Sequence, residues 1–524
     1  MKNNYKITLL LLVTLSVNFG CEDILEENAK ETLTPDQFYQ NEDEALLALN
    51  GLQATLQNRN VSGSEMVYYQ MLGTDEAVVA RPLFGGVSFS IYIANTSDGA
   101  IAGIWRNLYS GIRDANLLLS RVGSSTTLSD EEKSNVIGQA LFYRSYFYYR
   151  LTTMFGDVPY WRDEIDINAV SLLGKTSAET IQTEMIADLQ EAISSGGLST
   201  ERWNQNGGRV TLWAVKMMKA HYHMWLGQYA EARTELIDIT ANSGHDSALA
   251  PYADKYREGN DLDNEIIFGV ENLIGFTRND IHNQAHPNAG SEGGGSSPAV
   301  MAFEELDIFT RVGALTLNRS TADAFQEGDI RRIYNVFDRH TLQDGTEALF
   351  KFVYIPKFLR AKVPVEDPLF VNPDPNGQSG ATTRLMMMSD AYLMLSEAEF
   401  MLGGSNAAAL AAINIVRERA NLDALTSMDL ADIQLERKLE LLGEGFGRKT
   451  DLIRWGILEE TVAELPALEI AAGADQQSID RVQNMADIFA AGPEGKYRVL
   501  PIPFDDITKS QDLGGALTQN PLWE

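Results

Sequence analysis

Three stretches of this sequence combine aromatic rings with short polar side chains among glycine and other small residues. In the first stretch, residues 73–99, the candidate ligand contacts are Asp75, Arg81, Phe84, Tyr92 and Asn95. An aromatic ring can stack on the C–H face of a sugar, while carboxylate, amide and guanidinium groups hydrogen-bond to its hydroxyls. Exposed aromatic residues on such a loop therefore indicate a binding surface for a neutral glycan.

The other two stretches follow the same pattern. After Phe276, the second stretch carries the candidate contacts Arg278, Asn279, His282 and Asn283. The third is the run 203–207, which starts with Trp203 and continues with Asn, Gln, Asn and Gly. Trp203 has a second interpretation, as a core residue beneath a loop. Tryptophans that fall in helical patterns are predicted to be core residues, and these are Trp105, Trp213, Trp225 and Trp455.

Motifs that would carry catalysis are missing from the sequence. It contains no His-Glu-x-x-His zinc motif, no G-x-S-x-G nucleophile turn and no P-loop. His221 and His223 stand two apart on a predicted helix, so they face different sides and cannot hold one metal together. Among 73 acidic residues, carboxylate pairs are too common to indicate a glycosidase. We expect no catalytic activity, no metal and no cofactor, with a surface hydrolase kept as an alternative.

The N-terminus has the features of a secretory signal that ends at the only cysteine of the chain. Two lysines precede an apolar run from residue 7 to residue 17, and Gly20 stands directly before Cys21. The run is shorter than the roughly 20 apolar residues that span a bilayer. A bacterial lipoprotein is cut and acylated at such a cysteine, so we predict a signal peptide at 1–20 and a lipid on Cys21. The alternative is an ordinary signal peptide with an incidental free cysteine.

Composition excludes several partners. A single cysteine allows neither an intramolecular disulfide nor a cysteine-based metal site, so stability must come from burial of the 44% hydrophobic residues. The formal charge is −31, and a surface of that sign repels phosphate backbones and anionic lipid headgroups. We therefore expect no nucleic-acid partner, and contact with a membrane only through the lipid anchor.

Helical periodicity dominates the elements that must position these residues. Capping boxes at Ser129 with Glu132 and at Thr176 with Glu179 predict two helix starts. A further helix is predicted at about 211–226, and apolar spacing continues beyond Gly227 into a paired helix. Another helix pair is predicted to meet at the Gly-Gly turn 403–404.

A stretch from about residue 243 to residue 383 interrupts this helical pattern. It has poor periodicity and much Gly, Asn, Asp and Pro, including a run at 288–297 that is too glycine-rich for the interior of a helix or strand. We expect a large irregular insertion on a helical scaffold. The predicted organisation is a signal peptide at 1–20, a lipidated flexible lead at 21–34 and one body at 35–524, with an N-terminal part at 35–242, the insertion at 243–383 and a C-terminal helical part at 384–524.

Several motifs run through this body in a fixed order. They are QALFYRSYFYYRL at 139–151 with FGDVP at 155–159, GRVTLWA at 208–214 with LGQYAEA at 226–232, AYLMLSEAE at 391–399 with IVRERA at 415–420, ERKLELLGE at 436–444 with DLIRWG at 451–456, and LPIPF at 500–504 with QNP at 519–521. Behind a lipoprotein signal, this order resembles the SusD/RagB family of outer-membrane nutrient-binding lipoproteins of Bacteroidota. Departures are Lys449-Thr450, where an aromatic residue is usual before the Asp-Leu pair, and Leu522-Trp523 in place of Gly-Tyr.

The resemblance implies an all-α dominated SusD-like fold with tetratricopeptide-like helix pairs as scaffold. It implies that the region 73–99 contributes to the ligand site, with Asp75 and Arg81 as polar contacts. It also implies a SusC-like TonB-dependent transporter as partner. Glu22 and Asp23 resemble the signal that sends a lipoprotein to the extracellular face of the outer membrane.

Charged residues in these motifs are interpreted as structural. Arg144 lies on an otherwise apolar helix face, and a second set alternates in sign at close spacing. An unpaired buried charge is strongly destabilising, so we expect partly buried ion pairs that fasten the C-terminal helices. The second set is Glu440, Glu444, Arg448, Asp451 and Arg454.

The preferred function is surface binding of an oligo- or polysaccharide nutrient and its delivery to the SusC-like transporter, without catalysis. A peptide-binding lipoprotein of a similar transport system is an alternative. A tetratricopeptide-type scaffold that binds another protein is a further one.

Overall fold

The structure is a computed structural model, and it describes residues 39–80, 86–245, 249–255, 264–272, 281–308, 310, 313, 315–359 and 380–524. The predicted signal peptide, Cys21 and the lead that follows it lie outside the described residues. Among the described residues, no helix is both long enough and apolar enough to cross a bilayer.

Helices dominate the fold, as the sequence pattern predicts. Up to residue 242 they are α1 (Glu42–Ala54), α2 (Ser64–Met71), α3 (Gly86–Ser90), α4 (Gly99–Ser124), α5 (Asp130–Phe155), α6 (Ile167–Ser171), α7 (Ala178–Ser194), α8 (Leu212–Trp225) and α9 (Tyr229–Asn242). Short helices follow, namely α10 (Ile281–Ala285), α11 (Pro298–Glu305), α12 (Arg319–Asp323), α13 (Arg332–Asn335) and α14 (Pro356–Leu359). The C-terminal helices are α15 (Met388–Gly403), α16 (Ala407–Arg419), α17 (Leu430–Glu440), α18 (Arg448–Arg454), α19 (Leu458–Ala471), α20 (Gln476–Ala491) and α21 (Phe504–Asp512).

Local capping explains where the long helices begin. At the start of α5 the Ser129 hydroxyl accepts from the Glu132 amide, and the Glu132 carboxylate accepts from the Ser129 amide, so the first predicted capping box is confirmed. The second prediction is off by one residue, because the cap of α7 is Ser177. Thr176 instead exchanges two backbone hydrogen bonds with Val158, which takes it out of the helix start.

Long helices pack side by side in chain order, and the C-terminal pair continues the series. α4 packs on α5, α5 on α7, α7 on α8 and α8 on α9, after which α9 packs on α15 and α15 on α16. Close approach of α4 and α5 depends on Gly111, where a Cβ would lie 2.4 Å from the Phe147 ring. One hydrophobic core cluster contains residues from Ala45 to Leu517, so both ends of the chain share it.

The structure contains two sheets that the sequence analysis did not predict, and most of their strands belong to the insertion. β1 (Ala77–Val79), β3 (Leu315–Leu317), β5 (Glu347–Tyr354) and β4 (Phe337–Thr341) form an antiparallel sheet in that spatial order. β2 (Ile266–Val270) pairs antiparallel with β6 (Thr383–Met387), with Ile266 opposite Met387. In β5 the buried Ala348 and Phe350 alternate with the exposed Glu347 and Leu349, which is the period-2 pattern of a strand.

Candidate ligand-binding site

A surface pocket of about 430 Å³ opens between α4, the segment after α5 and the C-terminal α21. Its walls come from residues 105–117, 159–173 and 506–517. Aromatic rings form one side, and charged residues of both signs surround the opening. We refer to it below as the aromatic pocket.

Hydrogen bonds fix the backbone of Trp161 at this pocket. α5 ends at Gly156, whose φ of 73° turns the chain away from the helix. The Tyr148 hydroxyl then donates to the Trp161 carbonyl at 2.9 Å and accepts from the Trp161 amide at 3.1 Å. Asn116 donates to the same carbonyl at 3.2 Å. Because two long helices hold this loop residue, the Trp161 ring has a defined position.

The aromatic wall is a stack of rings presented by α4 and this loop. Tyr109 and Trp161 lie parallel, with ring centroids 5.3 Å apart and an interplanar angle of 12°. Trp105 packs against Tyr109 edge-on at 4.8 Å, and it is buried as predicted. The Tyr109 hydroxyl donates to the Pro159 carbonyl at 2.9 Å. Tyr109 and Trp161 are both half-buried, so part of each ring faces the pocket.

The opposite wall is fastened by α21. The Ser510 hydroxyl donates to the Ser171 carbonyl at 2.7 Å, which joins the C-terminal helix to α6. Arg106 of α4 reaches Asp506 at 3.3 Å, and burial raises the pKa of that Asp506 carboxyl. These contacts close the pocket with residues from distant parts of the chain.

Polar groups at the opening have both signs. Asp163 and Lys509 line the pocket, and both are exposed. Arg113 donates to the Ser110 hydroxyl at 3.1 Å and to Asp114 at 2.8 Å. Such an opening offers donors and acceptors to hydroxyl groups without favouring one ligand charge.

Asp75 and Tyr92 are two predicted contacts of the first stretch, residues 73–99. Both are buried, so the expectation that their side chains face solvent is wrong. Arg448 donates to the Asp75 carboxylate at 2.9 and 3.0 Å, and Lys438 lies 3.0 Å from it. Burial alone would raise the pKa of Asp75, but these two cations outweigh it and hold that pKa well below its usual range. The buried Tyr92 donates its hydroxyl to the Gly73 carbonyl and packs edge-on against Phe489.

The remaining predicted contacts have different outcomes. Trp203 is fully buried, so its second interpretation as a core residue is confirmed. Asn95 is exposed and its side chain accepts from the Ser97 amide at 2.9 Å, and its role in ligand binding stays a prediction. Arg81, Phe84, Arg278 and Asn279 lie outside the described residues, and His282 and Asn283 belong to α10 without described side chains.

Tyr109 and Trp161 were missed as site residues by the sequence analysis. Tyr109 has helical spacing and follows Trp105, so it resembled a core residue. Trp161 is the second residue after the FGDVP motif, and the acidic residues Asp163 and Glu164 follow it closely. The adjacent aromatic residues Tyr160 and Trp161 in this loop are the signal that could have indicated this site.

Charged residues of the motifs form buried ion pairs, as predicted. Arg144 lies 2.7 Å from Asp188, and both side chains are nearly inaccessible to solvent. Asp451 accepts from Arg437 at 3.0 Å and from Arg454 at 2.9 Å. Further pairs join the C-terminal helices to the insertion, and these are Glu440 with Lys255, Glu440 with Arg331, and Glu444 with Lys357.

The two neighbouring histidines face different surroundings, which agrees with their spacing. His221 lies 3.2 Å from Asp390, whereas the ring of His223 hydrogen-bonds to the Gln228 side chain at 2.7 Å. Burial lowers the pKa of His223. Within the part of the chain that the structure describes, no three His, Cys, Asp or Glu side chains are grouped to hold a metal ion.

Comparison with known families gives two matches that leave residues 218–352 between them. A model described as "SusD family" matches residues 353–523, and one described as "Starch-binding associating with outer membrane" matches residues 37–217. "SusD-like protein P25" of Formosa agariphila is 28% identical over 85% of this chain and 89% of its own length. The chain belongs to the SusD/RagB family.

Solved structures show the same fold. A laminarin-binding SusD-like protein superposes with a TM-score of 0.73 at 23% identity, over 92% of this chain and 100% of its own. "Surface glycan-binding protein A from Bacteroides thetaiotaomicron in complex with laminarihexaose" gives a TM-score of 0.68 at 19% identity, over 91% of this chain and 99% of its own. The helical SusD-like fold is therefore confirmed.

Proposed function

We propose that this protein binds an oligo- or polysaccharide at the cell surface, without catalysis, and that the aromatic pocket receives the glycan. The observation that carries the proposal is the half-exposed Tyr109–Trp161 stack on a fixed backbone beside polar groups of both signs. A sugar ring is recognised by this combination of apolar stacking and hydroxyl hydrogen bonds. Related proteins described as binding laminarin or laminarihexaose support a glycan as the ligand class.

Delivery to a SusC-like TonB-dependent transporter in the outer membrane is part of the same proposal. The description of the N-terminal family match names an association with the outer membrane, which supports this location. The described chain starts at Tyr39, near the charges of Asp114, Arg121 and Glu164, and Glu164 also lines the aromatic pocket. The lead from Cys21 to Tyr39 can extend to roughly 60 Å at most. A lipid on Cys21 would therefore keep the protein within that distance of the membrane that carries its partner.

The test is binding of the purified protein to a panel of neutral glycans that includes laminarin, by affinity electrophoresis and calorimetry. Trp161→Ala removes the inner stacking face, and we expect about a 10- to 100-fold loss of affinity, since a buried aromatic contact contributes roughly 1.5–3 kcal/mol. Trp523→Ala is the matched control, because that half-buried indole lies outside the pocket and donates to the Val499 carbonyl at 3.0 Å. Unchanged affinity in Trp161→Ala would refute the pocket assignment.

The alternatives give different results in the same assays. Binding of peptides with failure of every glycan would replace the glycan ligand by a peptide. Release of reducing sugar from a bound glycan by the purified protein would overturn the absence of catalysis. Co-purification from outer membranes tests the transporter, and the expected partner is a β-barrel protein that is recovered with the wild-type protein.

A further inference from the structure

A second cavity lies inside the molecule, and it shares no lining residue with the aromatic pocket. It has a volume of about 50 Å³ and lies between α2, α5 and the glycine-rich turn that follows α17. Arg150, Lys357 and Arg384 border it, together with Gly443 and Gly445. We refer to it below as the Arg150 cavity.

Arg150 is a buried cation without a counter-ion among the described residues. Its side chain is 1% exposed, and its guanidinium lies 4.4 Å from the centroid of the Phe446 ring. Nε donates to the Tyr146 hydroxyl at 3.3 Å, while Nη2 is buried and has no hydrogen-bond partner.

Three other buried arginines of the described chain each pair with an aspartate, and Arg150 does not. Arg144 contacts Asp188, Arg331 contacts Asp329 and Arg448 contacts Asp75, all within 3.0 Å. An uncompensated buried charge is strongly destabilising. The ring contacts of Arg150 offset part of that cost, but they do not satisfy Nη2.

Cationic side chains outnumber acidic ones among the described residues that border the Arg150 cavity. Three cationic side chains border it, and Glu444 is the one acidic side chain among its described lining residues. Glu444 is already engaged, since Lys357 lies 3.3 Å from one of its oxygens and Lys255 lies 3.4 Å from the other. Positive charge therefore remains at Arg150.

The volume of the Arg150 cavity restricts which ligands can enter it. The volume of about 50 Å³ exceeds the roughly 10–15 Å³ that one water needs, yet it is far below the roughly 300 Å³ of a pocket for an organic ligand. A monatomic anion accompanied by water fits both the volume and the charge. We propose that the Arg150 cavity binds a small monovalent anion of the chloride type, with the Arg150 guanidinium as its main ligand.

Diffraction from crystals of the protein soaked in bromide provides the direct test. We expect an anomalous peak within hydrogen-bond distance of an Arg150 Nη atom, because bromide replaces chloride and scatters anomalously. Ordered water in the Arg150 cavity, with no anomalous peak when bromide is in excess, would overturn the proposal. This result does not depend on any variant folding.

Solution stability gives an independent readout. We expect chloride to raise the melting temperature of the wild-type protein by about 1–2 °C relative to gluconate at equal ionic strength, since an anion that binds only the folded state stabilises it. Arg150→Met should lose this difference. Arg339→Met, which removes an exposed arginine outside both cavities, should keep it. An identical chloride response in Arg150→Met and wild type would contradict the proposal, whatever the effect on glycan binding.

Discussion

Lys449 is a buried lysine whose replacement should stabilise the protein in a pH-dependent way. The structure places its side chain at 2% exposure. Its Nζ lies 4.6 Å from the centroid of the Tyr92 ring and 5.1 Å from that of Tyr69, and no carboxylate of the described chain pairs with it. Burial lowers the pKa of Lys449 to about 7.

The sign of the pH effect follows from proton binding in the two states. Unfolded Lys449 keeps its proton up to a pH of roughly 10.4, whereas the folded side chain loses it above a pH of about 7. Between these values the unfolded state binds more protons, so the free energy of unfolding rises with pH. The buried lysine therefore lowers the free energy of unfolding most at pH 7 and below.

The magnitude follows from the same shift. Each pKa unit corresponds to about 1.4 kcal/mol, which gives an upper limit near 4–5 kcal/mol at neutral pH. The two cation–π contacts of Lys449 offset about 1 kcal/mol of this cost. We therefore expect Lys449→Met to raise the free energy of unfolding by about 2–4 kcal/mol at pH 6–7. Above pH 7 this gain should shrink by about 1.4 kcal/mol per pH unit.

Urea unfolding followed by circular dichroism at pH 6, 7.5 and 9 measures this dependence. Lys133→Met on α5 serves as the control, because that lysine is only half-buried and its replacement should change stability by less than about 0.5 kcal/mol at every pH. A gain for Lys449→Met that stays constant with pH, or a loss of stability at pH 6, would refute the reasoning.

Three further predictions concern burial and anchoring. Asp188→Asn should lower the free energy of unfolding by about 3–5 kcal/mol in urea titrations, because Arg144 then lies buried without its counter-ion. Burial raises the pKa of Glu76 to about 8, so the folded state binds more protons than the unfolded state from roughly pH 4.3 up to that value. Glu76→Gln should therefore match wild type near pH 5 and be more stable by about 2–4 kcal/mol at pH 9, and equal stability at both values would contradict this. Cys21→Ala should keep glycan affinity but move the protein to the soluble fraction, and retention in membranes after a high-salt wash would contradict lipid anchoring.

Local features of the fold were predictable from sequence because their causes are local. Ser129 and Glu132 satisfy each other's backbone groups within one helical turn, so four residues contain the whole signal. The burial of Trp213 follows from helical spacing in the same way. The strand alternation in β5 was present too, but the glycine-rich surroundings of the insertion obscured it.

Site residues were harder to predict, because exposure depends on neighbours that are distant in sequence. Asp75 and Tyr92 have the types of glycan contacts, yet Asp75 is covered by Arg448, 373 positions away, and Tyr92 by Phe489. Tyr109 looked like a core residue, but part of its ring faces a pocket that α21 completes. Residue type indicates which contacts a side chain can make, while the packing of remote segments decides whether the ligand or the protein makes them.

The sequence by itself indicated the family, the helix-dominated scaffold and the need for Arg144 to find a partner, since these follow from short motifs, periodicity and the cost of burying a charge. The lipid anchor on Cys21 stays a prediction. Only the tertiary structure decided which aromatic rings stay accessible and which cations lack a counter-ion. The Tyr109–Trp161 stack and the unpaired Arg150 both arise where chain segments that are distant in sequence meet. No window of sequence contains such a meeting, because it results from the summed packing of the whole core.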